Sequence, residues 1–316
     1  MEGIKYLLTG LLGCCFTSCI VDIWTNEELV ADTDRLVFTS NLTTKGMIID
    51  DTTLDSLGVC AYETGGYDFY NESSVPNFMY NQLLVRGRSA SANQKNWTYS
   101  PDRFWPDKDS QKLSFFAYAP HTQPWNGLTL SEPERGGVPQ ISYTVPLDVT
   151  HQPDLLVAFP QMNLTKKDGP VELFFKHTLA CISFYMEGAG KQIRGIAVTG
   201  IKTSGTLSLG LESDGKIGST YDYMIRWNLS DEISESDYSA GLQLDEGKDY
   251  LTTTDGITNL LRENGYLMML PQRLTADAKI LLTLADGSQT EFPLNAMTDR
   301  WQAGVRYQYK FKGKNL

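Results

Sequence analysis

Three histidines, at positions 121, 151 and 177, are the residues best suited to acid–base or nucleophilic chemistry. They are too far apart in sequence to share one strand or turn, although a Ser–His–Asp site could still assemble across a fold. The sequence contains no GxSxG elbow, no HExxH motif and no phosphate-binding glycine loop. His177 lies in an apolar run where we expect a hydrogen-bonded structural histidine. The sequence therefore predicts that the protein is not an enzyme and uses no cofactor.

Aromatic residues in loop-like sequence are better candidates for contact with a ligand. Trp97 and Trp105 lie in the segment NWTYSPDRFWPDKD, and Trp125 follows in HTQPWNG. Aromatic faces on loops can stack on sugars or anchor a protein partner. The alternative is that these rings pack at the edge of a β-sandwich. Trp97, Trp105 and Trp125 are therefore the candidate contacts for a glycan or protein receptor.

Carboxylates and cysteines predict neither a metal site nor a disulfide. The acidic pairs at residues 50–51 and 107–109 could offer oxygen ligands to calcium, but neither has the spacing of an EF-hand. We expect these carboxylates to be solvated in loops, and no metal ligand is predicted. Cys60 and Cys181 fall in different halves of the chain, so we expect two buried thiols even in an oxidising compartment.

The first nineteen residues, MEGIKYLLTGLLGCCFTSC, indicate export. A lysine at position 5 precedes an apolar run from residue 6 to residue 16, and small residues and Cys19 follow. This order is typical of a signal peptide, and the run is shorter than the roughly 20 residues of a spanning helix.

The cysteine at the end of this segment predicts a lipid anchor. The ending FTSC resembles a lipobox, which implies that Cys19 receives a diacylglycerol and becomes the new N-terminus. The ending LLGC at Cys14 fits the motif better but leaves too short an apolar core, so we prefer Cys19. Residues 1–18 are then the signal peptide, and residues 19–34 are a lipidated tether or a removable first strand.

The rest of the chain has the composition and pattern of a folded all-β protein. It is 41% hydrophobic and 21% charged, with a formal net charge of −11, and it has no basic cluster that would suit nucleic acid. Short runs of β-branched and aromatic residues, the longest at residues 171–186, are separated by Gly, Pro, Asn and Asp. We find no long helical period and no internal repeat of roughly 20–50 residues. Many short strands between turns predict β-sandwiches.

The best domain boundary lies in a polar segment flanked by prolines, at residues 160–170. A break near residue 168 predicts an N-terminal β-sandwich domain at residues 35–168 and a C-terminal one at residues 169–316.

A series of short motifs follows in order along the chain: NWTY, FWP, KLSFFAYAP, PDLLVA, VELFFKHTL, MLPQ, and WQAG with YQY. From about residue 35 to residue 312 this order resembles the Mfa-like fimbrillins of Bacteroides-type bacteria. The resemblance implies two tandem transthyretin-like Greek-key β-sandwich domains. It also implies export as a lipoprotein and assembly into type V pili on the cell surface.

The same resemblance implies assembly with other pilus subunits by strand addition. In such pili a protease cuts after a basic residue near the N-terminus and frees a first strand. A strand from the C-terminal tail of the next subunit then fills the groove, gaining backbone hydrogen bonds and side-chain pockets. Arg35 is the first basic residue after Cys19 and is the candidate cleavage point, with Lys45 second.

The short C-terminus departs from the stalk-forming members. Only residues 312–316 follow Phe311, which is too short a tail to fill another subunit's groove. The sequence therefore predicts a minor, tip or accessory subunit, held at the outer membrane by its lipid and found in the fimbrium once processed. The alternative is a lipid-anchored surface protein that binds glycans through Trp97, Trp105 and Trp125.

Overall fold

The computed structural model describes residues 34–42, 49–50, 53–70, 73–87, 97–188, 190–210, 212–213, 223–262 and 265–313. In these residues the structure is all-β, as predicted. Its helical parts are four short 3-10 helices, Val149–His151, Lys166–Asp168, Ser239–Gly241 and Leu294–Ala296. None of the described helices is long and apolar enough to cross a membrane. Cys14, Cys19 and Lys45 lie outside the described residues.

The described residues contain twenty-three strands. The first ten are β1 (Phe38–Leu42), β2 (Ser56–Glu63), β3 (Met79–Arg86), β4 (Trp97–Thr98), β5 (Leu113–Ala119), β6 (Leu128–Leu130), β7 (Gln140–Thr144), β8 (Leu156–Ala158), β9 (Gln161–Leu164) and β10 (Val171–His177). The others are β11 (Ala180–Glu187), β12 (Gln192–Ile201), β13 (Ser204–Ser208), β14 (Glu212–Ser213), β15 (Tyr223–Met224), β16 (Trp227–Leu229), β17 (Ser234–Asp237), β18 (Leu251–Thr252), β19 (Ile257–Asn259), β20 (Leu267–Met269), β21 (Lys279–Leu284), β22 (Gln289–Pro293) and β23 (Arg306–Lys312).

Eight strands form the first sheet, in the order β1-β10-β8-β5-β2-β3-β4, with β9 beside β5. β1 and β10 run parallel, whereas the other neighbours in this sheet are antiparallel. β10 follows residue 168 in the chain but belongs to this sheet. Asp34–Leu316 form one compact unit, and the domain limits near residue 168 stay a prediction.

The remaining strands form three larger sheets and a hairpin. Their orders are β16-β13-β7-β6, then β19-β11-β20 with β23 beside β11, and β17-β12-β21-β22 with β18 beside β12. β14 and β15 pair only with each other among the described strands.

The central strands of the first sheet, β2, β5 and β8, are buried on both faces. Because side chains on a strand point alternately to opposite faces, β5 gives Phe115 and Ala117 to one hydrophobic core and Phe116 and Tyr118 to another. The first core lies between this sheet and the aromatic segment at residues 97–105. The second core is shared with the other large sheets. The edge of the first sheet therefore carries a strand whose inner face is fully covered.

Candidate functional site

The edge strand β1 begins just after the residue predicted for processing. It pairs with β10 in parallel register, and no described strand pairs with its other edge. Leu36, Phe38 and Leu42 are buried in the first core, whereas Thr39 and Asn41 face the opposite way. β1 is thus a strand with one neighbour, anchored by apolar side chains at alternate positions.

An aromatic clamp, made of Trp97, Tyr99 and Phe115, holds β1 against the first core. The ring of Phe38 meets Tyr99 edge-on at 5.6 Å between centroids and Phe115 at 5.7 Å. The indole nitrogen of Trp97 donates a hydrogen bond of 3.0 Å to the Ser40 hydroxyl oxygen. Edge-on aromatic pairs and a buried hydrogen bond both stabilise this contact. The clamp therefore fixes which side chains β1 can carry at these positions.

Arg35 is held on the surface beside the clamp. Its Nη2 lies 2.6 Å from Asp102 Oδ1, and its guanidinium carbon lies 5.8 Å from the centre of the Tyr99 ring. The backbone N–H of Leu36 donates to the carbonyl of Arg103 at 2.9 Å, and the Tyr99 hydroxyl donates to the carbonyl of Leu36 at 2.8 Å. The peptide bond after Arg35 is therefore enclosed by contacts, and a protease needs a local opening to reach it.

The three candidate tryptophans occupy different environments. Trp97 is 4% exposed and Trp105 is 5% exposed, and the ring of Trp105 packs edge-on against Phe115 at 6.1 Å. Trp125 is 55% exposed. In this structure the rings of Trp97 and Trp105 are covered by core contacts, so Trp125 alone of the three presents a ring to solvent.

Trp125 borders a surface cavity of about 220 Å³. Gln123 and His151 also line it, with Ser56 at the start of β2. Sequence reasoning did not group Ser56 and His151 with Trp125, because they come from segments that are far apart in the chain. The one local signal was the short stretch HTQPWNG around Trp125.

His177 has the structural role that its sequence context predicted. Its Nδ1 lies 2.9 Å from Asp154 Oδ1 in the interior, and the second oxygen of Asp154 accepts from the backbone of Ile49 at 3.1 Å. The Asp154 carboxylate thus connects His177, at the end of β10, with the backbone of Ile49, which precedes β2 in the chain. Within the described ranges, no three His, Cys, Asp or Glu side chains gather closely enough to hold a metal ion.

Cys60 and Cys181 are free and buried thiols, as predicted. Burial raises the pKa of each thiol to about 11, and the thiolate is the reactive form. We expect iodoacetamide to leave both residues unmodified in the folded protein at mildly alkaline pH and to modify both after unfolding in urea. Peptide mass spectrometry reads each residue separately. Rapid labelling of either residue before unfolding would contradict the buried positions.

Comparison with known proteins gives the class of this all-β chain. The sequence model of the family described as fimbrillin-like matches residues 48–315. The chain therefore belongs to the fimbrillin-like family, as its ordered motifs predicted.

Individual relatives are fimbrial or adhesion proteins. The fimbrium subunit Fim1C of Phocaeicola vulgatus (strain ATCC 8482) is 28% identical over 199 residues, which are 57% of this chain and 50% of that protein. The chain thus spans about half the length of this curated relative.

Two solved structures share the fold. A fimbrial protein from Bacteroides vulgatus ATCC 8482 has a TM-score of 0.60 at 18% identity, over 89% of this chain and 96% of its own. A candidate cell adhesion protein from Bacteroides uniformis ATCC 8492 has a TM-score of 0.51 at 16% identity, over 88% and 91%.

Proposed function

We propose that this chain is a subunit of a cell-surface fimbrium, exported as a lipoprotein and assembled with other pilus subunits by strand addition. Family membership and the likeness to a fimbrium subunit support the fimbrial role. The observation that carries the assembly mode is β1, an edge strand with a single described neighbour and a fully buried inner face. In the precursor, a lipid on Cys19 holds the protein at the outer membrane.

Loss of β1 would leave a groove that accepts only strands with certain side chains. The edge of β10 would offer its backbone groups, and the aromatic clamp would form the wall. An incoming strand would gain backbone hydrogen bonds, while alternate side chains filled the vacated pockets. The incoming strand needs bulky apolar residues in the places of Leu36, Phe38 and Leu42. It also needs a small hydroxyl residue in the place of Ser40, because the indole N–H of Trp97 donates a hydrogen bond to that position.

The two candidate cleavage points have different consequences. A cut after Arg35 would release the segment that carries Cys19 and would leave β1 joined to the body of the protein. A cut after Lys45, which follows β1 in the chain, would also detach β1 from β2. Cleavage after Lys45 is therefore the event that opens the edge of β10, whereas cleavage after Arg35 removes the anchor.

N-terminal sequencing of protein from purified pili and from membranes tests this proposal. We expect the membrane precursor to begin at Cys19. The pilus form should begin at Gly46 where β1 has been detached, and at Leu36 where only the anchored segment has been removed. If cleavage after Lys45 opens the groove, a Lys45→Ala variant is expected to keep β1 and to be absent from pili. Arg35→Ala, at the other candidate cleavage point, is the matched variant. Protein that begins only at Cys19 and stays out of pili would contradict the proposal.

Within the fimbrium we propose a minor position, at the tip or as an accessory subunit. Immunogold labelling of intact pili distinguishes this from a stalk role. Label confined to pilus ends, or sparse along them, is the expected result. Dense, periodic label along the whole length would identify a stalk subunit.

The alternative function, a lipid-anchored protein that binds glycans through three tryptophans, has weaker support. Trp97 and Trp105 are buried beneath the surface, so their ring faces are already in contact with protein. Trp125 retains an exposed ring beside a cavity.

A further inference from the structure

We infer that the cavity beside Trp125 is a binding site for one neutral sugar ring of a glycan. This inference goes beyond the proposed assembly role and does not depend on strand addition. The cavity lies where the loop between β5 and β6 meets the 3-10 helix Val149–His151 and the start of β2. It lies apart from β1, since neither β1 nor β10 contributes a lining residue.

The base of the cavity is held in place by buried amide side chains. Asn126 accepts hydrogen bonds of 3.2 Å from the backbone N–H groups of Gln123 and Leu128. Gln152 donates to the carbonyl of Pro146 at 2.7 Å and accepts from the N–H of Met268 at 2.7 Å. Asn126 thus fixes the loop that carries Trp125, and Gln152 fixes the segment after the 3-10 helix Val149–His151. A site formed before its ligand arrives loses little entropy on binding.

The rim presents groups that are free for a ligand. Trp125 is exposed, and neither its indole N–H nor the exposed side-chain amide of Gln123 has a hydrogen-bond partner among the described residues. His151 contacts Asp148 through Nδ1 at 3.7 Å, which leaves Nε2 directed elsewhere. The cavity therefore combines one aromatic face with an amide and an imidazole. An aromatic face with a few convergent polar groups suits a ligand that has both C–H and hydroxyl surfaces.

Charge argues for a neutral ligand. No Asp, Glu, Lys or Arg side chain lines the cavity, as far as the structure describes the chain. An anion would meet no lysine or arginine there and would approach a protein of net charge −11, whereas a cation would find no lining carboxylate. Hydroxyl groups, in contrast, can form hydrogen bonds with the side chains of Gln123, His151 and Ser56.

The volume of the cavity suits one sugar ring rather than a longer stretch of glycan. The volume of about 220 Å³ is below the roughly 300–1,000 Å³ of pockets that enclose drug-sized ligands. A single ring stacked on Trp125 fills such a space, while the rest of a glycan stays in solvent. Because the contacts are few, binding of one sugar is weak, with a dissociation constant on the order of millimolar. Several copies of the site must therefore bind together to attach the protein to a glycan-covered surface.

An array of immobilised neutral glycans, with terminal mannose, galactose, glucose, fucose or N-acetylglucosamine, tests the inference on the full-length protein. We expect retention on at least one of them and a loss of about tenfold or more in Trp125→Ala, with Trp125→Phe retaining part of the binding. Gln123→Ala is expected to weaken binding as well. Tyr67→Ala is the matched control, because Tyr67 is 83% exposed but does not line this cavity, and it should bind as the unchanged protein does.

Several outcomes would overturn the site. They are no retention on any neutral glycan, equal retention of Trp125→Ala, or Trp125-dependent binding only to sialylated or sulfated glycans, to peptides, or to a second copy of this chain. Circular dichroism and thermal unfolding confirm that each variant folds. Incorporation of Trp125→Ala into pili is measured separately and is expected to be unchanged. A protein that binds sugar but never enters pili would contradict the proposed assembly role and leave this inference intact.

Discussion

An oxidised Thr39→Cys/Glu172→Cys variant is expected to reach the cell surface and to be absent from pili. Thr39 lies opposite Glu172 in the parallel pair of β1 and β10, and both side chains are on the face away from the first core. Neighbouring strands lie about 4.7–4.9 Å apart, within the roughly 4.4–6.8 Å between Cα atoms that a disulfide spans. The crosslink would keep β1 in place after any cut, so the groove could not receive another strand.

The measurement is the amount of the variant in purified pili relative to the membrane fraction, before and after treatment of the cells with a reductant. Reduction is expected to restore incorporation. A matched control is Thr206→Cys/Asn228→Cys, because these two residues are opposite each other in β13 and β16, away from β1. Oxidised control protein should enter pili normally. Normal incorporation of the oxidised Thr39→Cys/Glu172→Cys variant would show that β1 does not leave during assembly.

Replacement of Phe38 by alanine is expected to lower the free energy of unfolding by about 3–5 kcal/mol, the usual cost of truncating a buried phenylalanine. Phe38 is completely buried, and its ring contacts both Tyr99 and Phe115 edge-on. The change removes these contacts and leaves a cavity that the surrounding rings fill only in part. Urea unfolding followed by tryptophan fluorescence measures the effect, because Trp97 lies beside this strand.

Asn41→Ala, on the exposed face of the same strand, is the control for Phe38→Ala. It should change the free energy of unfolding by no more than about 0.5 kcal/mol. Equal effects of the two substitutions would mean that the inner face of β1 does not anchor the strand. A large effect of Phe38→Ala alone would show how firmly the inner face of β1 holds the strand.

The all-β class could be read from the sequence because alternation is a local property. β5 lies within the motif KLSFFAYAP, and along β23 buried Tyr309 and Phe311 alternate with exposed Gln308, Lys310 and Lys312. Which strands pair with each other is not a local property, so the sequence did not predict the order of strands in the sheets. The run at residues 171–186 is divided between β10 in the first sheet and β11 in another. No pattern within that run shows that its first part pairs with β1.

The candidate site was only partly predictable for the same reason. Trp97 lies in the two-residue strand β4 and Trp105 lies outside the strands, so neither belongs to a run long enough for alternation to separate inward from outward positions. Both rings are buried in the first core, which also contains residues of β1, a strand distant in the chain. Trp125 was identified correctly as a loop aromatic, but the cavity beside it needs Ser56 and His151, which only the folded chain brings together.

The parallel pairing of β1 with β10 also has a mechanical consequence. In a parallel ladder the backbone hydrogen bonds are evenly spaced along the strand axis. Tension applied along that axis shears all of them at once, whereas a sideways displacement breaks them one after another. In the proposed assembly, a strand seated in this groove would therefore be exchanged more easily by sideways displacement than by tension along its own axis.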